Sequence, residues 1–332
     1  MEEFFIDYGS FLLKTGTIVI AIIAVVLVIV SAVMRGKGER RDHIEIKRLN
    51  DQYRETERVL KEAMLSRQDL KRLDKDIKRE RKQEEKRGSD KSTRLFILDF
   101  DGDVRASGVN ALREEITAVL TVANEDDEVF VRVHSAGGAV HSYGLAASQL
   151  TRITDRNIRL VVSVDKIAAS GGYMMACVAN HVLAAPFAVL GSIGVVAQLP
   201  NFNRLLKKHD IDYEMITAGE YKRTLTVFGE NTEKGREKFR EEMEDVHALF
   251  KEFVQTHRPS VDIEKVGTGE YWFGTRALEF NLADEIKTSD DYLFQRSQDA
   301  DLFEINYVQH KGMKERFGSW VSAFLPWSHP GI

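Results

Sequence analysis

The sequence predicts an α/β domain carried behind a membrane helix and a charged helical stalk, and three observations predict it. Residues 15–34 carry no charge, residues 35–92 are more than half charged, and from Arg94 onward short β-branched runs alternate with amphipathic stretches in the manner of βαβ units. One cysteine among 332 residues leaves no intrachain disulfide, so the domain must be held by its apolar core. A formal net charge of −5 excludes the dominant basic face that nucleic-acid phosphates require.

Residues 1–14 form a short tail whose charges begin with Glu2, Glu3 and Asp7. The run TGTIVIAIIAVVLVIVSAVM over 15–34 is long enough to cross one bilayer core of about 30 Å at 1.5 Å per residue. A cleaved signal peptide would start basic, have a shorter apolar region and end in a small-residue cleavage site, so an uncleaved anchor is expected. Arg35, Lys37, Arg40 and Arg41 follow the span against only Lys14 before it, which by the positive-inside rule places the following domain in the cytoplasm.

In residues 35–92 a thin apolar series (Ile46, Leu49, Tyr53, Leu60, Met64, then Leu70, Leu73, Ile77) keeps to spacings of three, four and seven but breaks after Met64. A solvated helical stalk, able to form at most a loose coiled coil, is the expectation.

The domain proper is expected over residues 93–300, with 301–332 as a C-terminal extension. Strands are predicted at Leu95–Phe100, Val129–Ser135, Ile158–Val164, His181–Ala185 and Tyr213–Thr217, and helices at Asn110–Ala123, His141–Ile153 and Ser170–Ala179. A later helix over Thr232–His257 carries Phe239, Met243, Val246, Phe250 and Phe253 on one face, to be buried against the core or another subunit, and stops at Arg258-Pro259. The uncharged stretch Val182–Val196 is too short for a second span and contains Pro186, Gly191 and Gly194, which makes it core. Cys177, inside an apolar run, reads as a buried inert thiol.

Acyl transfer needs a nucleophile, a base and backbone N–H groups aimed where the oxyanion forms. Two strand-to-helix turns offer that geometry: Ala136-Gly137-Gly138 after VFVRVHS, and Ala168-Ala169-Ser170-Gly171-Gly172 after LVVSV. Tight helix–strand packing explains the same glycines.

The stretches DKIAASGGYMMACVAN, SAGGAVHSYGLAASQL, APFAVLGSIGVVAQLPNF and ITAGEYKRTLTVFGENTEKGREKF closely resemble the signal peptide peptidase A family. The resemblance covers about Leu95–Leu293, including GEYWFGTRALEFNLADEI, where Asn281 replaces the usual glycine and, like it, tolerates the left-handed conformation. It implies a ClpP/crotonase-like core of repeated ββα units and a serine peptidase without cofactor or metal. By position it implies Ser170 as nucleophile, Lys222 as general base 52 residues later, Gly137 and Gly171 as the oxyanion turn and Ser192 as the hydroxyl that orients the lysine. A lysine titrates near 10.4 and must drop by roughly three pH units, about 4 kcal/mol, to act as a neutral base. The resemblance further implies signal-peptide remnants or other membrane-associated or misfolded polypeptides as substrates. It implies a bacterial inner-membrane location with the domain outside the cytoplasm, against the flanking charges. This chain has one copy of the repeating αβ unit where long family members have two, and in short members neighbouring subunits bring Ser and Lys together, so the resemblance further implies a homo-oligomeric ring with Ser170 and Lys222 supplied by neighbouring subunits.

Competing motifs are weaker. FILDFDGDV resembles the aspartyl motif of dehalogenase-type phosphatases, but its late acids Asp290 and Asp291 follow Ser289 at a helix start, where capping explains them. Ser163-Val164-Asp165-Lys166 fits Ser-x-x-Lys without its Lys-Thr-Gly partner. A Ser-His-Asp triad would need His134, His141 or His181 at Ser170, and no His/Cys cluster has metal-ligand spacing. A crotonase-type acyl-CoA enzyme or a non-catalytic membrane scaffold would keep the fold without needing both Ser170 and Lys222.

Overall fold

The computed structural model describes residues 9–25 apart from 12, residues 42–66, 69, 75 and 79, and residues 93–309. It divides into two units. The smaller comprises Met1–His43 and Val308–Ile332; its described N-terminal stretch, 9–25, is helical, with Ile18, Ile20, Ile22 and Val25 exposed. Among the described residues no helix is long and apolar enough to cross a membrane. Residues 26–34 of the expected span, the stalk positions Leu70, Leu73 and Ile77, and residues 310–332 lie outside the described residues.

The larger unit, Ile44–Tyr307, is built on a ten-stranded sheet. In chain order its elements are β1 (His43–Arg48), α1 (Leu49–Met64), β2 (Thr93–Gly102), α2 (Val109–Leu120), β3 (Glu128–Ser135), α3 (Val140–Thr154), β4 (Arg159–Val164), β5 (Ile167–Ala169), α4 (Gly171–Ala176), β6 (His181–Ala184), β7 (Val189–Gly191), α5 (Asn203–Lys208), α6 (Glu233–His257), α7 (Ile263–Val266), β8 (Tyr271–Phe273), α8 (Gly274–Glu279), β9 (Glu285–Ile286), α9 (Ser289–Arg296) and β10 (Ala300–Val308). The main path runs β1-β10-β2-β3-β4-β6-β9, and a branch leaves β3 through β5 and β7 to β8. The branch is parallel until its last pair, β7 with β8, which is antiparallel.

Strand periodicity explains the two-sided burial. On β2, Phe96, Leu98 and Phe100 enter one core while Leu95 and Ile97 enter another on the opposite face, and on β3 Val129, Val131 and Val133 alternate with Phe130 in the same way. The first face is covered by α2, α3 and α4 through residues such as Ile116, Leu150 and Met175. The second is covered by α1 and α9, where Tyr292 stacks on Phe130 at 5.3 Å between ring centroids and Leu49 and Tyr53 pack alongside. Cys177 lies fully buried in the first core, which pushes its thiol up to about 12 and leaves it no thiolate to react.

Three parts differ from the sequence reading. Residues 43–64 of the expected stalk belong to the domain: β1 pairs β10 at the sheet edge, and the apolar series divides so that Leu49 and Tyr53 are packed while Leu60 and Met64 are exposed. The start of the expected C-terminal extension is β10, lodged between β1 and β2 with Leu302 and Ile305 buried. The expected strand Tyr213–Thr217 has no regular structure, since the segment runs outside the sheet where no strand edge pairs it, and its Ile216 is 94% exposed.

α6 is fixed at both ends. Thr232 caps it by accepting the Gly235 N–H at 3.1 Å, and just past its end the buried Arg258 donates to the Asn281 carbonyl at 2.6 Å and to Asp284 at 2.7 Å. Asn281 adopts a left-handed φ of 58° after α8, as its side chain permits. Only the C-terminal half of the α6 apolar face is fully covered, by Phe250 and Val254; Phe239, Met243 and Val246 stay half-buried.

Asn50 ties α1 into the sheet. Its side chain is buried, donating to the Ser297 and Ala300 carbonyls at 3.1 and 2.9 Å and accepting the Leu302 N–H at 2.8 Å. Asn50→Ala strands that N–H and those carbonyls, and should destabilise the domain by about 2–3 kcal/mol in denaturant unfolding. An unchanged unfolding midpoint would mean that α1 is a free spacer after all.

Candidate active site

Three parallel strands of the branch end side by side, and their ends carry the residues singled out above. Ser135 on β3 is level with Ala168 on β5, and Ala169 is level with Gly191 on β7, so Gly137, Ser170 and Ser192 all lie one or two residues past neighbouring strand ends. The Ser170 N–H donates to the Gly191 carbonyl at 2.8 Å, which continues the β5–β7 ladder through the serine. Its own carbonyl accepts the Met174 N–H at 2.9 Å and opens α4.

A residue that ends a strand and starts a helix without a linker must turn sharply. Ser170 does so at φ 50°, ψ −119°, a strained conformation for a residue with a side chain, of order 1–3 kcal/mol. Ser192 is likewise at φ 51°. Gly137 is at φ 90°, and a Cβ there would meet the Gly171 nitrogen at 2.7 Å and the Ser170 Cβ at 2.8 Å, so the two turns touch. Gly171 is required for the same reason, because a Cβ would overlap the ring of Tyr143.

Of the backbone donors in these turns, the Gly137 N–H is taken by the Ser135 hydroxyl at 3.0 Å. The N–H groups of Gly138 and Gly171 have no partner among the described residues, and both glycines line a cleft with Ser170. Val140, Met174, Val195, Val246 and Phe250 complete its apolar wall, the last two from α6. The cavity measures about 10 Å³, room for one water at most, so a polypeptide would have to lie across its mouth. A larger cavity of about 370 Å³ opens at the other end of the sheet, walled by Glu125, Asp126, Glu128, Arg159 and Arg296. Its lining also includes Thr93, Asp127 and Tyr292 and is dominated by charged side chains, and none of the residues singled out from the sequence as catalytic borders it.

Lys222 lies elsewhere. Its N–H bonds the Gly219 carbonyl at 3.2 Å in an exposed turn whose neighbours are tied to α5 and α6: Asn203 donates to the Phe228 carbonyl at 2.9 Å, Glu220 pairs with Lys234, and Lys234 and Lys238 lie over the Tyr221 ring. The Lys222 side chain is exposed and does not line the cleft. The side-chain polar atoms of Ser170, Ser192 and Lys222 have no hydrogen-bond or ion-pair partner among the described residues. One chain therefore sets Ser170, Gly138 and Gly171 on the cleft with Gly137 and Ser192 in the adjoining turns, and the exposed Lys222 is not part of its lining.

The other motifs have structural partners. Asp99 pairs with Arg132, which also reaches Glu304; His134 pairs with Asp101; and His181 meets Glu285 at 3.3 Å. Ser163 and Ser289 both bond Asp165, which anchors the start of α9. Sequence reasoning missed Gly138 as the free donor, Val246 and Phe250 as the cleft wall, and the buried Tyr143 bonded to Ser135. Tyr143 gave no sign in the sequence beyond a place on the apolar stripe of α3.

Residues 3–150 match the model described as peptidase family S49 N-terminal, and residues 152–302 match the model of peptidase family S49. The boundary between them falls inside α3, so the Gly137–Gly138 turn lies in the first and Ser170 and Lys222 in the second. A relative from Haemophilus influenzae, named probable protease SohB, is 47% identical over 329 residues, covering 96% of this chain and 93% of the relative. A probable protease SohB from Buchnera aphidicola subsp. Schlechtendalia chinensis is 49% identical over 305 residues, 89% of this chain and 100% of its own. Protease 4 of H. influenzae is 25% identical over 201 residues, 58% of this chain and 32% of its own. The two family models together span residues 3–302 and the relatives cover nearly the whole chain, so the chain belongs to peptidase family S49.

Proposed function

We propose that the chain is a membrane-anchored serine endopeptidase in which Ser170 attacks the peptide carbonyl and Lys222 of an adjacent subunit acts as base. The observation that carries this reading is Ser170 itself, held in a strained turn on an apolar cleft beside two unpaired backbone N–H groups. Strain of this kind persists where the surroundings over-determine it, and it leaves the hydroxyl projecting from the sheet.

The chemistry then runs as follows. The Ser170 hydroxyl gives its proton to neutral lysine as its oxygen adds to the scissile carbonyl carbon. The resulting oxyanion accepts the N–H groups of Gly138 and Gly171. Collapse breaks the C–N bond, the lysine returns its proton to the departing amine, and an ester to Ser170 remains. Water gives a proton to the same lysine as it adds to that ester, and as the ester C–O bond breaks the lysine returns that proton to the Ser170 oxygen, freeing the serine and a carboxylic acid that ionises in solvent. Ser192, level with Ser170 across the β5–β7 pair and with its hydroxyl unpaired, suits a role in orienting the lysine.

A lysine base needs a dry surround, and Lys222 of a single chain stands in water. Val196 at 81%, Ile216 at 94% and the half-exposed Tyr221 and Phe228 leave several large apolar side chains uncovered across residues 196–228, more than a solvated loop requires. The half-covered face of α6 adjoins this segment through Glu220 and Lys234. Closing these surfaces between like subunits supports a ring in which Lys222 enters a neighbour's cleft. The uncharged run 15–34 supports a single-pass anchor in a bacterial plasma membrane, which favours membrane-associated polypeptides, signal-peptide remnants among them, as substrates.

Ser170→Ala and Lys222→Ala should each abolish turnover with little change in melting temperature, and the double variant should be no worse than either. Mixing the two inactive proteins under conditions of subunit exchange should restore part of the activity. A mixture that stays dead after exchange, or a fully active monomer, rules out the shared site. Gly171→Ala should slow labelling of Ser170 by a fluorophosphonate at least a hundredfold and destabilise the fold by about 1–3 kcal/mol, because the new methyl displaces the buried Tyr143. Unaltered labelling would show that the turn tolerates a shift and is not part of the oxyanion site.

A further inference from the structure

Tyr143 is fully buried in the first turn of α3, where it packs against Gly171 in one turn of the cleft and bonds Ser135 at the end of the strand that enters the other. Its ring packs on the Gly171 backbone, too close to admit a Cβ, and is held edge-on by Phe100 at 6.2 Å between centroids. Its hydroxyl donates to the Asp103 carbonyl at 2.7 Å and pairs with the Ser135 hydroxyl, whose oxygen accepts the Gly137 N–H at 3.0 Å. A proton count sets the direction. The phenol's one proton goes to Asp103, so Ser135 turns its own toward the phenol oxygen, with the Gly102 carbonyl at 3.2 Å as a second acceptor, and receives Gly137 on a lone pair. Burial raises the Tyr143 phenol above its usual range and keeps it a donor.

Phenylalanine would fill the same space, so packing alone does not explain a hydroxyl here. That hydroxyl joins the loop after β2 to the turn after β3, while the ring of the same residue supports the turn after β5. Resting on the acyl-transfer reading above, we propose that Tyr143 is a positioning residue: its ring sets the level of Gly171, and its hydroxyl, acting through Ser135, sets the level of the Gly137–Gly138 turn, so that the two free N–H groups converge on one oxyanion.

Steady-state kinetics of the full-length protein on a chromogenic peptide, normalised to active sites titrated to completion with a fluorophosphonate, test this. Tyr143→Phe should lower kcat about ten- to a hundredfold while KM changes less than twofold, as expected when donors are misplaced for the transition state alone. Ser135→Ala should do the same, and the double variant should be no worse than either, because both break one chain. Tyr292→Phe is the comparator: it removes a buried hydroxyl bonded to Glu128 at 2.8 Å at the far end of the sheet, and should lower the melting temperature without lowering kcat. Wild-type kcat in Tyr143→Phe, losses that multiply in the double variant, or an equal kcat loss in Tyr292→Phe would each overturn the proposal. An active Ser170→Ala would instead remove the acyl-transfer reading, whereas a dead Ser170→Ala beside a fully active Tyr143→Phe removes only the positioning role.

Discussion

The pairing of one three-residue strand governs the site. β5 has β3 on one side and β7 on the other, and its register sets Ser135 beside Ala168 and Ala169 beside Gly191. Because all three strands run parallel, their ends fall at one level, and the chain must leave each of them by a turn. A slip of one residue in β5 would turn Ser170 toward the opposite face of the branch and carry its side chain out of the cleft. The core is organised to prevent that: Ala168 and Leu190, paired on adjacent strands, are both fully buried in the face covered by α2, α3 and α4.

Close approach is the second constraint, and it follows from the first. Turns that leave neighbouring strands at one level run into each other unless their side chains are small. Gly137 faces the backbone of Ser170 and Gly171; Gly138 faces the Val104 backbone, which also accepts the Ala139 N–H at 2.8 Å. The glycines are thus required by close backbone approach rather than by flexibility. Donors fixed before the reaction need not reorganise during it, and that is the basis of electrostatic stabilisation in acyl transfer.

Much of this was legible in the residues. Alternating apolar runs located β2, β3, β4 and β6 to within two residues, because each is buried on at least one whole face and its period survives in the sequence. β10 was not found, since it follows a charged stretch and is separated by the length of the domain from β1 and β2, between which it lies. The segment Tyr213–Thr217 misled in the opposite sense: its apolar residues look like a strand but face outward. Positions of local chemistry, such as the Ser170 turn and Asn281 at φ 58°, were readable because one residue's conformation carries them. The hydroxyl link from Tyr143 to Gly137 joins residues through three-dimensional contact alone, and no spacing announces it.

Lys222 shows what a single chain leaves undone. The cleft has a hydroxyl, two free N–H groups and an apolar wall, and no titratable side chain is among its lining. His134 and His181 are committed to carboxylates, the His247 ring lies against the Ile193 carbonyl at 3.1 Å, and His141, exposed beside Val140, does not line it. The base expected from the sequence stands in water, on a segment rich in exposed apolar side chains. A protein that buried Lys222 in its own cleft would carry the cost of desolvating an amine in every folded monomer. In the proposed ring, placing the amine on one subunit and the dry cleft on the next would move that cost into assembly, where apolar area closed between subunits would offset it. On the proposed reading the incomplete cleft and the uncovered surface share one explanation, a site completed as subunits join.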